Sequence, residues 1–274
     1  MQVRTQAFHV PKRGNAETEY EDAYFPENAS DREVSEFRCA VADGASESAF
    51  ASVWARLLVR GFGRRRLRLR RLRELWSRAT SGRPLPWYLE TKILNGAHAA
   101  FVGLSIREGG SNGQESADSE REAPGWMELP SNGDTAAAAG EGGTWRALAV
   151  GDSCLFHIRD GKMLTVGPLN ASDQFGNTPA LLSSRLPQSF RRGADDVYVL
   201  SGTWQPGDTF YLVTDAMAQW LLAIQEAGRP PWTNLGELCI ENDAETFVRL
   251  VDELRGLGDL HNDDTTLLRV EVAA

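Results

Sequence analysis

The sequence predicts an α+β fold in which antiparallel sheets carry helices on their outside. Three observations lead to it. Strand-like runs dominate the second half of the chain. Tight turns join consecutive runs, at Gly151-Asp152-Ser153, Asp160-Gly161 and Gln205-Pro206-Gly207-Asp208. Helical periodicity is confined to separate blocks. The turns weigh most against a doubly wound parallel sheet, because parallel neighbours need long crossovers.

In chain order, residues 1–46 read as extended and end in the apolar run from Phe37 to Asp43. Residues 47–105 read as helical. Phe50, Val53, Trp54, Leu57 and Leu58 recur at the spacing of one apolar helix face. Gly82-Arg83-Pro84 interrupts this block, and a second helix is expected from Trp87 to about Leu104. Residues 107–143 are rich in Gly, Ser, Glu and Asp and poor in large apolar side chains, which predicts a long polar loop. Gly133 to Ala137 would lead the chain back into the fold. Strands are then expected at 145–150, 154–160, 162–166, 197–201, 208–215 and 265–272. Asp160-Gly161 is a hairpin signal. Helices are expected after Asp215, with Met217, Trp220, Leu221 and Ile224 on one face, and over 243–256.

The 274 residues, 42% apolar and 24% charged, suffice for one large globular domain or two small ones, and a single domain spanning 1–274 is expected. No apolar run reaches the roughly 20 residues of a membrane span, and MQVRTQAFHV is no signal segment, so no membrane partner and a cytoplasmic location are expected. Cys39, Cys154 and Cys239 are too scattered for a disulfide framework or a metal knuckle. A net charge of −9 argues against a nucleic-acid partner. One basic run, Arg64 to Arg73, reads as a helix with a solvated face around Leu67, Leu69 and Leu72. The competing reading is a docking surface for an acidic or phosphorylated partner.

Acidic residues recur beside apolar runs. Glu21 and Asp22 precede Ala23-Tyr24-Phe25; Asp43, Asp152 and Asp215 close such runs; Asp263 and Asp264 open the last one. A carboxylate beside a buried strand is costly without compensation. Several brought to one sheet edge would raise each other's pKa values, and hard divalent cations with oxygen ligands relieve that repulsion. His9, His98, His157 and His261 lack the spacing of a zinc helix.

The series Glu21-Asp22, Asp43-Gly44, Gly133-Asp134-Thr135-Ala136, Gly151-Asp152-Ser153, Thr214-Asp215 and Asp263-Asp264-Thr265-Thr266 resembles, in order and rough spacing, the metal-dependent type 2C serine/threonine protein phosphatases. The resemblance covers about residues 10–272. It implies two antiparallel sheets face to face with helices on both outer faces. It implies hydrolysis of phosphoserine and phosphothreonine in a phosphorylated protein substrate by a hydroxide bridging two Mn²⁺ or Mg²⁺ ions. Asp43 would bridge the ions and Gly44 would offer its carbonyl. Asp215 and Asp263 would hold one ion, and Asp152 would be the ligand of a third, weaker one. Glu21 and Asp22 would act through bound waters.

Three departures from the family pattern stand out. The bridging loop reads Asp43-Gly44-Ala45-Ser46-Glu47, and Ala216 replaces the glycine after Asp215. Where many members carry a phosphate-binding arginine, this chain has Glu17 and Glu19; Lys12 and Arg13, slightly earlier, are the candidates for that task. His261 and His9 are candidate general acids. Two alternatives stay open: a catalytically inactive phosphatase-like binding module, and a phosphatase of small molecules.

Overall fold

The computed structural model describes residues 1–81, 92–109, 142–176, 178–185, 197–233, 235–236 and 244–273. The Gly82-Arg83-Pro84 break, the Gly133–Ala137 segment and most of the expected polar loop lie outside them.

Twelve strands are described: β1 (Gln2–Val10), β2 (Ala23–Phe25), β3 (Ser30–Glu33), β4 (Glu36–Gly44), β5 (His98–Glu108), β6 (Gly143–Val150), β7 (Cys154–Arg159), β8 (Lys162–Gly167), β9 (Leu182–Ser183), β10 (Tyr198–Trp204), β11 (Thr209–Val213) and β12 (Thr265–Ala273). The longer helices among the described residues are α1 (Ala51–Gly63), α2 (Leu69–Thr80), α3 (Asp215–Glu226) and α4 (Ala244–Leu257). One six-stranded sheet runs β3-β1-β12-β11-β7-β8; the other runs β10-β6-β5-β4-β2, with β9 beside β5. Every described pairing is antiparallel.

The strands' period-two alternation builds the layers. Along β4, Phe37, Cys39 and Val41 face the other sheet, where they meet Leu155, Leu212 and Leu268. Ala40 and Ala42 face outward, and their small size admits Trp54, Leu58 and Phe62 of α1 and Trp76 of α2. On the other sheet, Phe156, Tyr211 and Leu267 face outward against Met217 and Leu221 of α3 and Phe247 and Val251 of α4. The result is helix, sheet, sheet, helix, as the resemblance implies.

Most expected elements match within a few residues. At Asp160-Gly161 both residues have positive φ, 51° and 69°, the two-residue hairpin turn that suits twisted strands. The basic run divides: residues 64–68 form a connection and α2 begins at Leu69, with Leu67, Leu69 and Leu72 buried beneath the arginines. One expectation fails. The helix expected from Trp87 to Leu104 gives way from His98 onward to β5, a central strand between β4 and β6. Its residues Ala99 to Leu104 are apolar on both faces because both faces are covered. A strand buried on both sides loses its alternation and is then indistinguishable by period from a buried helix.

Candidate functional site

The antiparallel register brings one set of strand ends to the same edge of the sandwich. β12 starts opposite the end of β1 (Thr265↔Val10). β11 ends opposite the starts of β12 and β7 (Val213↔Leu267, Val213↔Cys154). In the second sheet, Gly44 at the end of β4 faces Ala99 at the start of β5, Val150 at the end of β6 faces Phe101, and Ala23 opening β2 faces Ala42. Asp22, Asp43, Asp152, Asp215 and Asp263 occupy these ends. Gly151-Asp152-Ser153 is more than a turn: it carries the chain from β6 in one sheet to β7 in the other. Gly151 has φ +94°, and a Cβ there would come within 2.7 Å of Ala100 Cβ and 2.8 Å of the Ala180 carbonyl. The crossing requires glycine.

The aspartates act on one another through space. Burial raises the Asp43 carboxyl well above its ordinary pKa, and Asp22, Asp215, Asp152 and Asp263 add to it. Asp22, only 3% exposed, is raised by burial and then by Asp264 and Asp215. Burial, Asp215 and Asp263 bring Asp152 to about 7. Asp215 is raised by burial and by Asp263, against hydrogen bonds from the Ala216 N–H and from Asp43. Desolvation and like charge both penalise the ionised forms, the condition a cation relieves.

The donor set passes a chemical test for a hard divalent cation: the clustered groups are carboxylates, and Asp22 Oδ1 is buried without a partner. Among the described residues no three His, Cys, Asp or Glu side chains form a finished metal cage. The aspartates are neighbours by charge, with Asp43 and Asp215 joined by a hydrogen bond.

Residues beside the clustered aspartates hold them in place. Thr266 Oγ1 donates to Asp22 Oδ2 at 2.6 Å and is itself hydrogen-bonded to the Tyr20 hydroxyl. The Thr266 N–H donates to Thr214 Oγ1 at 3.0 Å. Asp264, beside Asp263, accepts the backbone N–H groups of Lys12 and Glu21, both at 2.7 Å, which ties the segment before β2 to β12. Glu21 reaches Ser46 rather than the interior, and burial raises its carboxyl. Asp22 is buried among the clustered carboxylates.

The departures from the family pattern find physical accounts. Asp215 and Ala216 open α3, and Ala216 is absent from the positive-φ residues, so no glycine is needed there. Gly44 is needed: a Cβ would stand 2.6 Å from the Glu21 carbonyl oxygen. Glu17 is engaged by His9, at 2.7 Å to Nε2, and Glu19 caps its own turn through the Ala16 N–H at 2.8 Å. Lys12 Nζ lies 3.6 Å from Asp263, at the rim of the cluster. Arg13 points elsewhere, its guanidinium on the Asp252 carbonyl at 3.1 Å. His9 packs against Tyr20 and Tyr24, whereas exposed His261 is near enough to Asp215 to stabilise its charge.

Solved structures share this fold over nearly the whole of both chains. The photosystem II phosphatase PBCP covers 99% of this chain and 99% of its own, at 15% identity and TM-score 0.52. The serine/threonine phosphatase PstP/Ppp of Mycobacterium tuberculosis covers 100% of both chains, at 14% identity and TM-score 0.51. This chain has the type 2C phosphatase fold. PppA, a regulatory component of T6SS in Pseudomonas aeruginosa, aligns with the type 2C fold seen here over 99% of this chain at 16% identity and TM-score 0.50. By sequence, no family model and no curated protein matches. At these identities the likeness concerns the fold, and function rests on the residues of the cluster.

Proposed function

We infer that this chain is a Mn²⁺- or Mg²⁺-dependent phosphatase, forming one domain and acting on phosphoserine and phosphothreonine in proteins. The observation that carries the reading is the meeting of Asp22, Asp43, Asp152, Asp215 and Asp263 at one edge of the sandwich, each of the first four pushed toward its neutral form by burial and by its neighbours. Asp43, Asp215 and Asp263 would hold two ions with the Gly44 carbonyl, Asp152 would serve a third, and Glu21 and Asp22 would orient bound waters. Divalent cations held there supply an acidified water and charge to offset the phosphoryl oxygens.

The chain's own groups do the rest. Thr266 and Tyr20 keep Asp22 oriented toward the cluster. Lys12, whose Nζ lies 3.6 Å from Asp263, would take the task of the missing arginine ahead of Arg13, whose guanidinium is held by Asp252. His261 at the rim is the better placed proton donor for the leaving seryl or threonyl oxygen.

The test is phosphate release from a phosphopeptide with Mn²⁺. Asp43→Asn is expected to lower the rate by roughly a hundredfold or more, the scale of losing one electrostatic element of a site; a rate equal to wild type removes the reading. A non-catalytic module on the same fold is the second reading, and the absence of a finished metal cage among the described residues favours it. Calorimetric titration separates the two: tight Mn²⁺ sites with turnover exclude the module, and no Mn²⁺ binding excludes the phosphatase.

A further inference from the structure

The second sheet carries a basic face at the end opposite the acidic edge. α1 covers the outer side of this sheet as far as Phe62, whose ring a Cβ at Gly103 would meet at 2.9 Å. Beyond Phe62 the strands present polar residues in register. Arg38 of β4 and Arg146 of β6 stand on either side of Ser105 of β5, and Ser201 of β10 follows Arg146. Glu36 and Arg107 form the next pair on β4 and β5. Arg65 reaches the same place from the connection after α1. It has φ 56°, at a helix end where the left-handed conformation ordinarily favours glycine. Glu36 accepts Arg38 Nε at 2.9 Å on one oxygen; Arg65 and, at 3.5 Å, Arg107 share the other. Among the described residues Arg146 makes no hydrogen bond or ion pair, yet it lies near enough to Arg107 to feel its charge. One carboxylate thus serves three guanidinium groups, and the fourth beside them has none. Burial lowers the pKa of Arg38; Glu36 opposes this, while Arg65 and Arg107 add to it. Burial and then Arg107 lower Arg146. Arginine stays charged in proteins, so it cannot escape such crowding by losing its proton. A bound anion is the remaining relief.

We propose that this face docks a phosphorylated segment of a partner protein, with the phosphoryl group entering over Ser105 between Arg38 and Arg146. Its oxygens take the fork of Arg146, the N–H groups of Arg38 that Glu36 leaves unused, and the Ser105 hydroxyl. A phosphoryl group suits the place better than a carboxylate does, because it spreads nearly two charges over three oxygens and can answer several guanidinium groups at once. A lipid surface fits less well. The Arg38 side chain is 25% exposed and Arg146 is partly buried, so both lie too deep for a plane of head groups. The chain's net charge of −9 opposes a nucleic acid. The proposal is independent of any reading of the acidic cluster: Arg38 lies five residues before Asp43 along β4, roughly 17 Å at about 3.4 Å per residue.

The probe is a short fluorescent Gly/Ser peptide with one central phosphoserine, and the same peptide without phosphate is its control. Anisotropy is read on the metal-free full chain in EDTA, where the clustered aspartates repel phosphate. Wild type is expected to bind the phosphopeptide saturably and about tenfold or more tighter than the control. Arg146→Gln should remove about tenfold of that affinity. Ser105→Glu places a carboxylate between Arg38 and Arg146. It should abolish phosphopeptide binding and melt roughly 1–3 °C above Ser105→Gln, the scale of one cross-strand charge pair. The melts also report that each variant is folded. Equal affinity for the two peptides in wild type, or an Arg146→Gln protein that binds as wild type does, overturns the proposal. So does Ser105→Glu melting no higher than Ser105→Gln while still binding the phosphopeptide. Inorganic phosphate that binds as tightly as the phosphopeptide would assign the face to a free anion, and phosphatidylserine vesicles that bind wild type but not Arg146→Gln, with no phosphopeptide binding, would assign it to a membrane; either overturns the docking of a protein. None of these measurements depends on phosphatase activity.

Discussion

Gly44 illustrates how one hydrogen atom in place of a methyl group positions the site. It follows Asp43 at the end of β4, and its Cα lies so close to the Glu21 backbone that a Cβ would sit 2.6 Å from that carbonyl oxygen and 3.0 Å from Ala51 Cβ. Both neighbours are fixed, one by backbone and one by α1, so an added methyl must displace chain. At an unstrained position Gly→Ala stabilises by about 0.4–1 kcal/mol, because it restricts the unfolded chain. Here the sign should reverse: Gly44→Ala is expected to cost about 1–3 kcal/mol, the range for overpacking a core. A urea midpoint at or above that of wild type would refute the close approach. Ala216 makes the opposite case. It stands where the family has glycine and needs none, because the residue lies in the first turn of a helix.

Among the elements, the turn between β10 and β11 is pinned by a buried carboxylate remote from the acidic edge. Asp208, 0% exposed, accepts Arg159 Nε and Nη2, both at 2.7 Å, His157 Nε2 at 2.8 Å and the Gln205 N–H at 2.9 Å. Burial alone would raise its pKa, but the bonds from Arg159, His157 and Gln205 outweigh burial and bring it to about 2. This folded value lies below that of an unfolded aspartate, about 3.9. The stabilisation is therefore complete above about pH 4 and is lost as the pH falls toward 2. Asp208→Asn should cost about 2 kcal/mol at pH 6, and the gap from wild type should close near pH 2. A gap independent of pH would mean that the charge contributes nothing. The sequence shows Gln205 to Asp208 as a turn but not this knot, since His157 and Arg159 meet Asp208 only once β7 pairs with β11. The same limit hides Tyr20, and hides the bonds that Thr214 and Thr266 make, which exist only once the register aligns them with Asp22. It also hides the division of labour between Asp263 and Asp264, adjacent acids of which one faces the cluster and the other holds two backbone N–H groups. The aspartates themselves were legible, because an acid abutting an apolar strand is conspicuous in one dimension. β5 was not, because burial on both faces erases its period.

For the whole molecule, the acidic edge is where the two sheets work against each other. Asp43 belongs to one sheet, and Asp215 and Asp263 flank β11 and β12 of the other; Asp152 lies on the chain crossing between them. Their mutual repulsion acts across the sandwich interface, against the apolar contacts of Cys39, Val41, Leu155 and Leu212 that close it. A cation bound by groups from both sheets would convert that repulsion into a cross-link, and binding to the folded state alone adds stability by mass action, about 2.7 kcal/mol at a hundred times Kd. For a chain of this size, 1 kcal/mol shifts Tm by roughly 2–4 °C. Saturating Mn²⁺ is therefore expected to raise Tm by roughly 5 °C or more, in a concentration-dependent way. Asp43→Asn should show a different balance. With one fewer charge in the cluster, its metal-free Tm should match or exceed that of wild type, while the rise with Mn²⁺ should largely disappear. Thermal melts of both proteins across a Mn²⁺ series measure this. A wild-type Tm indifferent to Mn²⁺ would mean that the sandwich tolerates its clustered acids without a metal, and would shift the balance toward a binding module that keeps the fold but not the chemistry.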